Sequence, residues 1–259
     1  MNTIKKGSKG DDVKLLQKTL IEKGYAVSVD GTFGDKTHEA VYEFQKNAKL
    51  TADGVVGPAT WKVLLEPEKE EINFAKAAQT LNVEEAAIRA VHQVESGGSS
   101  GFLQDGRPII LFEGHIFWNQ LKQLGINPEK YQTENTDILF QKWDKSKYKG
   151  GAAEYERLIR ACLINCEAGL KSASYGMFQI MGFNHKLCGY NTVYEYLTTM
   201  QSNQAQQFQS FVKFLQNTKL DVLIRNLNWT EFAKKYNGPD YAQNKYDEKL
   251  KAAYLKFKK

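Results

Sequence analysis

Glu95 closes a run in which Ala87, Ile88, Val91 and Val94 recur at helical spacing, and Ser96-Gly97-Gly98-Ser99-Ser100-Gly101 follows it. So glycine-rich a segment cannot extend a helix at ordinary cost, which puts the carboxyl at a seam between an apolar helix and an open loop. A poorly solvated carboxyl can stay protonated and act as a general acid. The same residues also describe an ordinary helix-end glutamate on the solvent face, and composition alone favours that reading.

A second carboxylate, Glu113, interrupts the apolar run Ile109-Ile110-Leu111-Phe112, with His115 two residues on. If buried it needs a partner, and it fits either a structural ion pair or a second catalytic role. Residues 171–184 join small residues to aromatic ones, a composition that allows close backbone approach to a ligand while rings face sugar or core. The four histidines, His38, His92, His115 and His185, lack the spacing of a zinc hydrolase, although His92 is placed to share a helix face with Glu95 and hydrogen-bond there. Neither Cys166 nor Cys188 stands at a nucleophile helix start, and Cys162 and Cys166, four apart, read as small buried thiols on one helix face. No disulfide framework or metal site is expected.

These groups need a scaffold. The chain has 259 residues, 42% hydrophobic, enough for one large domain or two unequal ones and too apolar for a disordered chain. No run of about 18 apolar residues reads as a membrane span, and no secretion segment is expected at the start. A formal charge of +5 favours an anionic partner without naming one. The basic tail at Lys245, Lys249, Lys251, Lys256, Lys258 and Lys259 has no nucleic-acid-reading module beside it, so no specific nucleic acid is expected.

The first 66 residues contain an echo, D-G-x-x-G-x-x-T at 30–37 and again at 53–60, each a turn leading into a helix. With helical stripes at Val13, Leu16 and Leu20 and at Ala40, Val41 and Phe44, this predicts a three-helix module over 1–66. The charged segment 67–71 reads as a linker. From 72 to 259 the periodicity predicts helices over 74–81, 84–94, 115–124, 154–168, 193–200, 204–217, 220–227, 231–235 and 243–257, with Leu158, Ile159, Cys162 and Leu163 as apolar positions of the fourth. A short strand fits 109–112. The expected class is mainly α, with a short β element in the larger domain.

The pattern G-x-x-G-x-x-V-x-x-L-Q-x-x-L at 7–20, with D-G-x-F-G-x-x-T at 30–37, A-V-x-x-F-Q at 40–45 and D-G-x-x-G-x-x-T-W at 53–61, resembles the peptidoglycan-binding domain found beside many cell-wall hydrolases. The resemblance implies a murein groove near the two turns, with Asp30, Thr32, Phe33, Tyr42 and Trp61 as candidates. Without it, Phe33 and Trp61 would be core residues of so small a module more often than not.

Glu95-Ser96-Gly97-Gly98, Ser174-Tyr175-Gly176-Met177-Phe178-Gln179-Ile180 and Tyr236-Asn237-Gly238 resemble the ordered signatures of lysozyme-like transglycosylases and goose-type lysozymes. R-P-x-I-L-F-E-x-H-x-F at 107–117 with Q-I-M-G-F-N-H at 179–185 is similar to the N-acetylmuramidase domain of phage endolysins and their prophage relatives. Tyr175, where tryptophan is frequent, and Gly114, where a larger residue is common, depart from the pattern. What the resemblance implies is a lysozyme-like α-rich fold over 72–259 that cuts the β-1,4 bond between N-acetylmuramic acid and N-acetylglucosamine. Glu95 takes the place of the catalytic acid, Tyr236 and Asn237 of cleft residues that orient substrate, and Ser174, Tyr175, Gln179 and Ile180 of the opposite wall; Ser96 and His115 are expected beside them.

Glu113 is the candidate second carboxylate. At about 6.5–9.5 Å from the acid it would activate water, and at about 5–5.5 Å it would form a covalent intermediate. Without such a group, attack by the muramic C6 hydroxyl gives a lytic transglycosylase, and a larger domain that has lost activity leaves a wall-binding protein. No cofactor is expected. The expected partner is bacterial peptidoglycan, bound by a monomer that waits in a host cytoplasm until released to the periplasm or cell wall.

Overall fold

The computed structural model describes residues 1–65 and 71–259, and its chain divides into two compact units, Met1–Lys69 and Glu70–Lys259. The linker expected at 67–71 lies, Glu71 apart, outside the described residues. Among those residues no helix is long and apolar enough to cross a membrane.

Among its described residues the first unit has three helices, α1 (Asp11–Glu22), α2 (Asp35–Asn47) and α3 (Pro58–Leu65), around a core of Val13, Leu16, Leu20, Val41, Phe44, Val56 and Leu64. The sequence echo is also a structural one. Gln17 of α1 donates through Nε2 to Asp30 Oδ1, Thr32 O and Thr37 Oγ1, while its Oε1 accepts from Gly31 N. Gln45 of α2 does the same at the second turn, donating to Asp53 Oδ1, Val55 O and Thr60 Oγ1 and accepting from Gly54 N. Each buried amide thus satisfies a turn that has no regular ladder of its own.

Among its described residues the second unit is helical, with one small sheet. Its helices are α4 (Phe74–Leu81), α5 (Glu85–Ser96), α6 (Gly114–Gln123), α7 (Glu129–Gln132), α8 (Ala153–Lys171), α9 (Val193–Met200), α10 (Gln204–Asn217), α11 (Leu220–Arg225), α12 (Trp229–Asn237) and α13 (Tyr246–Phe257). Strands β1 (Ile110–Phe112), β2 (Ala173–Tyr175) and β3 (Ile180–Met181) pair antiparallel in that order, with Ile110 opposite Tyr175 and Tyr175 opposite Ile180. Residues 173–181 read from sequence only as a small-residue and aromatic segment. They form two strands because β1 gives their backbone a partner.

The C-terminal helix α13 packs along α5, and Ala87, Ile88, Ala90 and Val91 of α5 are fully enclosed. This fixes the direction in which α5 delivers its last turn. In α8, Asn165 has extended angles (φ −158°, ψ 113°) and breaks the helix, and its side chain accepts from Ala168 N to restart it. The buried face of α8 ahead of the break is Glu154, Arg157, Leu158 and Ala161, so Ile159 and Leu163, at about 100° per residue, fall on the far side of the helix and are exposed against expectation; Cys166 is also exposed and Cys162 only half-buried.

One buried ion pair ties the sheet to its surroundings. Glu154 Oε2 accepts from Arg157 Nη1 at 2.7 Å and from Phe112 N of β1 at 3.1 Å, and Oε1 accepts from Lys149 N and Gly150 N. Arg157 also donates to Phe112 O and Asp137 O. The pair is therefore satisfied on nearly every side, and removing one member strands the other. We expect Arg157→Ala to lose about 3–5 kcal/mol in equilibrium urea unfolding. A loss below about 1 kcal/mol would show that the pair is not an essential tie.

Candidate active site

Glu95 lies in the last turn of α5, before Gly97, which ends the helix in the left-handed region at φ 57°. The free carbonyls of a helix C-terminus oppose a nearby negative charge. The side chain is half-buried and lines a cleft of about 640 Å³ with Gln179, Ile180, Asn184, Lys235, Tyr236 and Asn237. Burial pushes its carboxyl up from 4.5 to about 7, and a hydrogen bond from Asn237 Nδ2 to Oε1 at 3.2 Å works in the opposite direction. Among the described lining residues it is the only carboxylate.

The opposite wall is built from the β2–β3 turn. Gln179 is the non-glycine residue there with left-handed angles (φ 48°), and its amide is held on three sides: Nε2 donates to Ile109 O and Gly176 O, and Oε1 accepts from Ser174 Oγ at 2.8 Å. Beneath the turn, Gln207 of α10 accepts from Met177 N at 2.7 Å and donates to Met200 O. Its Oε1 lies so close to Gly101 and Gly176 that a Cβ at either position would sit 2.2 or 2.6 Å from it, and both have positive φ. One buried amide therefore bonds the turn carrying Gln179 and packs directly against the Gly-rich loop after Glu95.

The wall that carries Asn237 is set by Tyr236. Its hydroxyl donates to Phe178 O at 3.1 Å and its ring stacks on Phe232 at 5.6 Å between centroids.

Several sequence-derived candidates stand elsewhere. Tyr175 is only 1% exposed and its hydroxyl donates to Leu170 O, so this ring is core and no sugar can stack on it. Ser96 is buried and its Oγ accepts from Gly98 N, shaping the loop instead of facing the cleft. Ser174 acts through Gln179. Glu113 and His115 do not line the cleft of Glu95. Glu113 Oε2 accepts from the Tyr148 hydroxyl at 2.5 Å and lies 3.4 Å from His115 Nδ1, while the His115 ring faces Phe140. His92 makes no bond to Glu95. It packs among Phe74, Phe178 and Phe208 with Nε2 buried and unpartnered, and burial followed by the Arg89 charge lowers its pKa.

In the first unit, Phe33 and Trp61 are core residues, and the Trp61 indole donates to Asn2 O. Asp30 is consumed by Gln17 and Thr32 N. Thr32 and Tyr42 remain on the surface. Asn184, part of the motif at 179–185, lines the active-site cleft, as do Lys235 and Tyr246, which the sequence does not single out. Nothing in their spacing sets them apart from ordinary helix and turn residues.

A family model described as N-acetylmuramidase matches residues 84–258, and one described as a putative peptidoglycan binding domain matches residues 9–64. The fold and cleft are those of a lysozyme-like protein, and the chain belongs to the N-acetylmuramidase family. The crystal structure of a Burkholderia AP3 phage endolysin is 38% identical, with a TM-score of 0.68 over 99% of both chains. A probable N-acetylmuramoyl-L-alanine amidase of Bacillus licheniformis is 43% identical over 28% of this chain and 22% of its own length. A zinc D-Ala-D-Ala carboxypeptidase of Streptomyces albus G is 35% identical over 29% and 32% respectively. The chain thus spans about a fifth to a third of the length of these two curated relatives.

The carboxyl of Glu95 carries a pH signature for stability. The folded group keeps its proton up to about 7, whereas an unfolded one ionises above 4.5, so the unfolded state releases the proton first. Stability should fall as pH rises from 4.5 through about 7 and level off above. Glu95→Gln escapes this loss. Relative to wild type, the variant should gain roughly 1–3 kcal/mol between pH 4 and pH 8 in urea unfolding. A difference independent of pH would mean the carboxyl is well solvated.

Proposed function

We propose that this chain hydrolyses the β-1,4 bond between N-acetylmuramic acid and N-acetylglucosamine in peptidoglycan, with Glu95 as general acid. The single observation that carries this reading is a carboxyl pushed up to about 7 in a long cleft, held by Asn237 on one oxygen and free on the other. In the protonated state the free oxygen bears the proton and gives it to the leaving glycosidic oxygen, without which the bond breaks slowly. Asn237 keeps that oxygen aimed into the cleft. The leaving sugar takes the proton, charge develops on the muramic ring as an oxocarbenium ion, and water adds at C1 and gives up a proton, which leaves a reducing end. The amides of Gln179 and Asn184 and the hydroxyls of Thr218 and Tyr246 supply neutral polar contacts in the same cleft. The first unit holds the catalytic unit on its polymer and raises the local concentration of bonds to be cut.

The cleft lining lacks a second carboxylate among its described residues, which supports a second reading. With no base to activate water, the C6 hydroxyl of the muramic residue can close on its own C1, and the product is then a 1,6-anhydro end. The two readings share Glu95 and differ in the nucleophile.

Digestion of purified murein followed by mass spectrometry of the soluble products separates them. Wild-type protein should release reducing N-acetylmuramic ends, with activity declining as pH rises through about 7, and Glu95→Gln should lower the rate about 10²- to 10⁴-fold. Anhydro ends would establish the transglycosylase. Undiminished cleavage by the variant would remove Glu95 from the chemistry.

A further inference from the structure

The loop at 141–149 reads Gln-Lys-Trp-Asp-Lys-Ser-Lys-Tyr-Lys, with four lysines and one acid, and takes no part in the chemistry at Glu95. The acid is occupied within the loop. Asp144 Oδ1 accepts from Ser146 N and Oγ and caps the 3-10 turn Lys145–Lys147. Lys142, Lys145 and Lys149 are exposed, and among the described residues no carboxylate forms an ion pair with them. Between them Trp143 is 61% exposed, whereas Trp61, Trp118 and Trp229 are 3%, 5% and 7% exposed. An indole so open to water, in a loop that also exposes three lysines, presents a flat apolar face with positive charge on the same loop.

The loop is also fixed in place. The Tyr148 hydroxyl donates to Glu113 Oε2, Lys149 N and Gly150 N donate to Glu154 Oε1, and the Trp143 ring meets Tyr148 edge-on at 6.5 Å. Its position follows from strand geometry. Side chains alternate along β1, and Ile110 and Phe112 point into the core, so Leu111 lies on the opposite face with its partner Ser174. Ser174 holds Gln179, which lines the cleft of Glu95. Glu113 continues in extended backbone two residues beyond Leu111, so it projects from that same face, roughly 7 Å further along. The loop therefore stands at the far end of a sheet face whose near end borders the cleft.

We propose that Trp143 and its lysines form a remote glycan subsite, where the indole stacks on a sugar ring of the murein strand cut at Glu95 and the ammonium groups meet the carboxylates of its stem peptides. This rests on the muramidase reading above. Glu113 is then a positioning residue that holds the loop through Tyr148.

The full chain carrying Glu95→Gln binds without turnover, and Trp143, as the exposed tryptophan, dominates the red edge of its emission. Titration with purified peptide-bearing glycan strands should shift that emission to the blue, and the shift should disappear when Trp143→Phe is added. Binding of labelled strands, read by polarisation, with no change in emission would overturn the subsite. So would a shift produced by a phosphate polymer such as teichoic acid and not by murein. In the active chain, Trp143→Ala should lower kcat/KM on long strands about three- to tenfold more than on a tetrasaccharide. Equal losses on the two would also overturn it. Because the emission readout needs no cleavage, failure of the muramidase reading, seen as an absence of new ends with wild-type protein, is distinguishable from failure of the subsite.

Discussion

The structure of the larger unit is organised around keeping one carboxyl out of water. Glu95 is delivered by the last turn of a helix whose inner face, Ala87, Ile88, Ala90 and Val91, is core, and the helix end itself disfavours a negative charge there. Opposing it is a single hydrogen bond from Asn237, too little to restore an ordinary carboxylate. Everything that shapes the cleft bears on this balance: α13 packed along α5, Tyr236 pinned through Phe178, and Gln207 packed against the two glycine turns. A looser cleft would admit water, lower the affinity of Glu95 for its proton and remove the acid that bond cleavage requires.

Two further devices keep the scaffold rigid without regular secondary structure. In the catalytic unit the Glu154–Arg157 pair satisfies backbone groups of β1 and of the segment at 149–150, so a buried charge does the work of a ladder. In the first unit, Gln17 and Gln45 each close a turn through the same four bonds, a polar counterpart to its small apolar core. Both arrangements are partnered on nearly every side, the condition under which buried polar groups hold a fold instead of weakening it.

Much of this was legible in the sequence because it rests on periodicity. The stripe from Ala87 to Val94, the helices at 193–200 and 204–217, and the turn echo at 30–37 and 53–60 each repeat over enough residues to declare themselves. The strands at 173–181 did not, since two or three residues carry no period and depend on β1 for a partner. Glu95 could be placed at a seam from its neighbours, but its burial depends on α13 and Asn237, more than 140 residues away. Tyr175, Phe33 and Trp61 illustrate the converse. Aromatic residues beside turns suit sugar contact and core equally in sequence, and here the core took them. Glu113 was recognisable as a carboxylate needing a partner, yet Tyr148, 35 residues on, decided which partner it found.

The central claim is that the Glu95 carboxyl remains protonated near neutral pH. Carbon-13 NMR of glutamate labelled at the side-chain carboxyl, with the Glu95 signal assigned by its absence in Glu95→Gln, measures that directly. A titration midpoint near 7 is the expected result. A midpoint near 4.5 would show that the cleft is wet around Glu95 and would contradict its assignment as the acid.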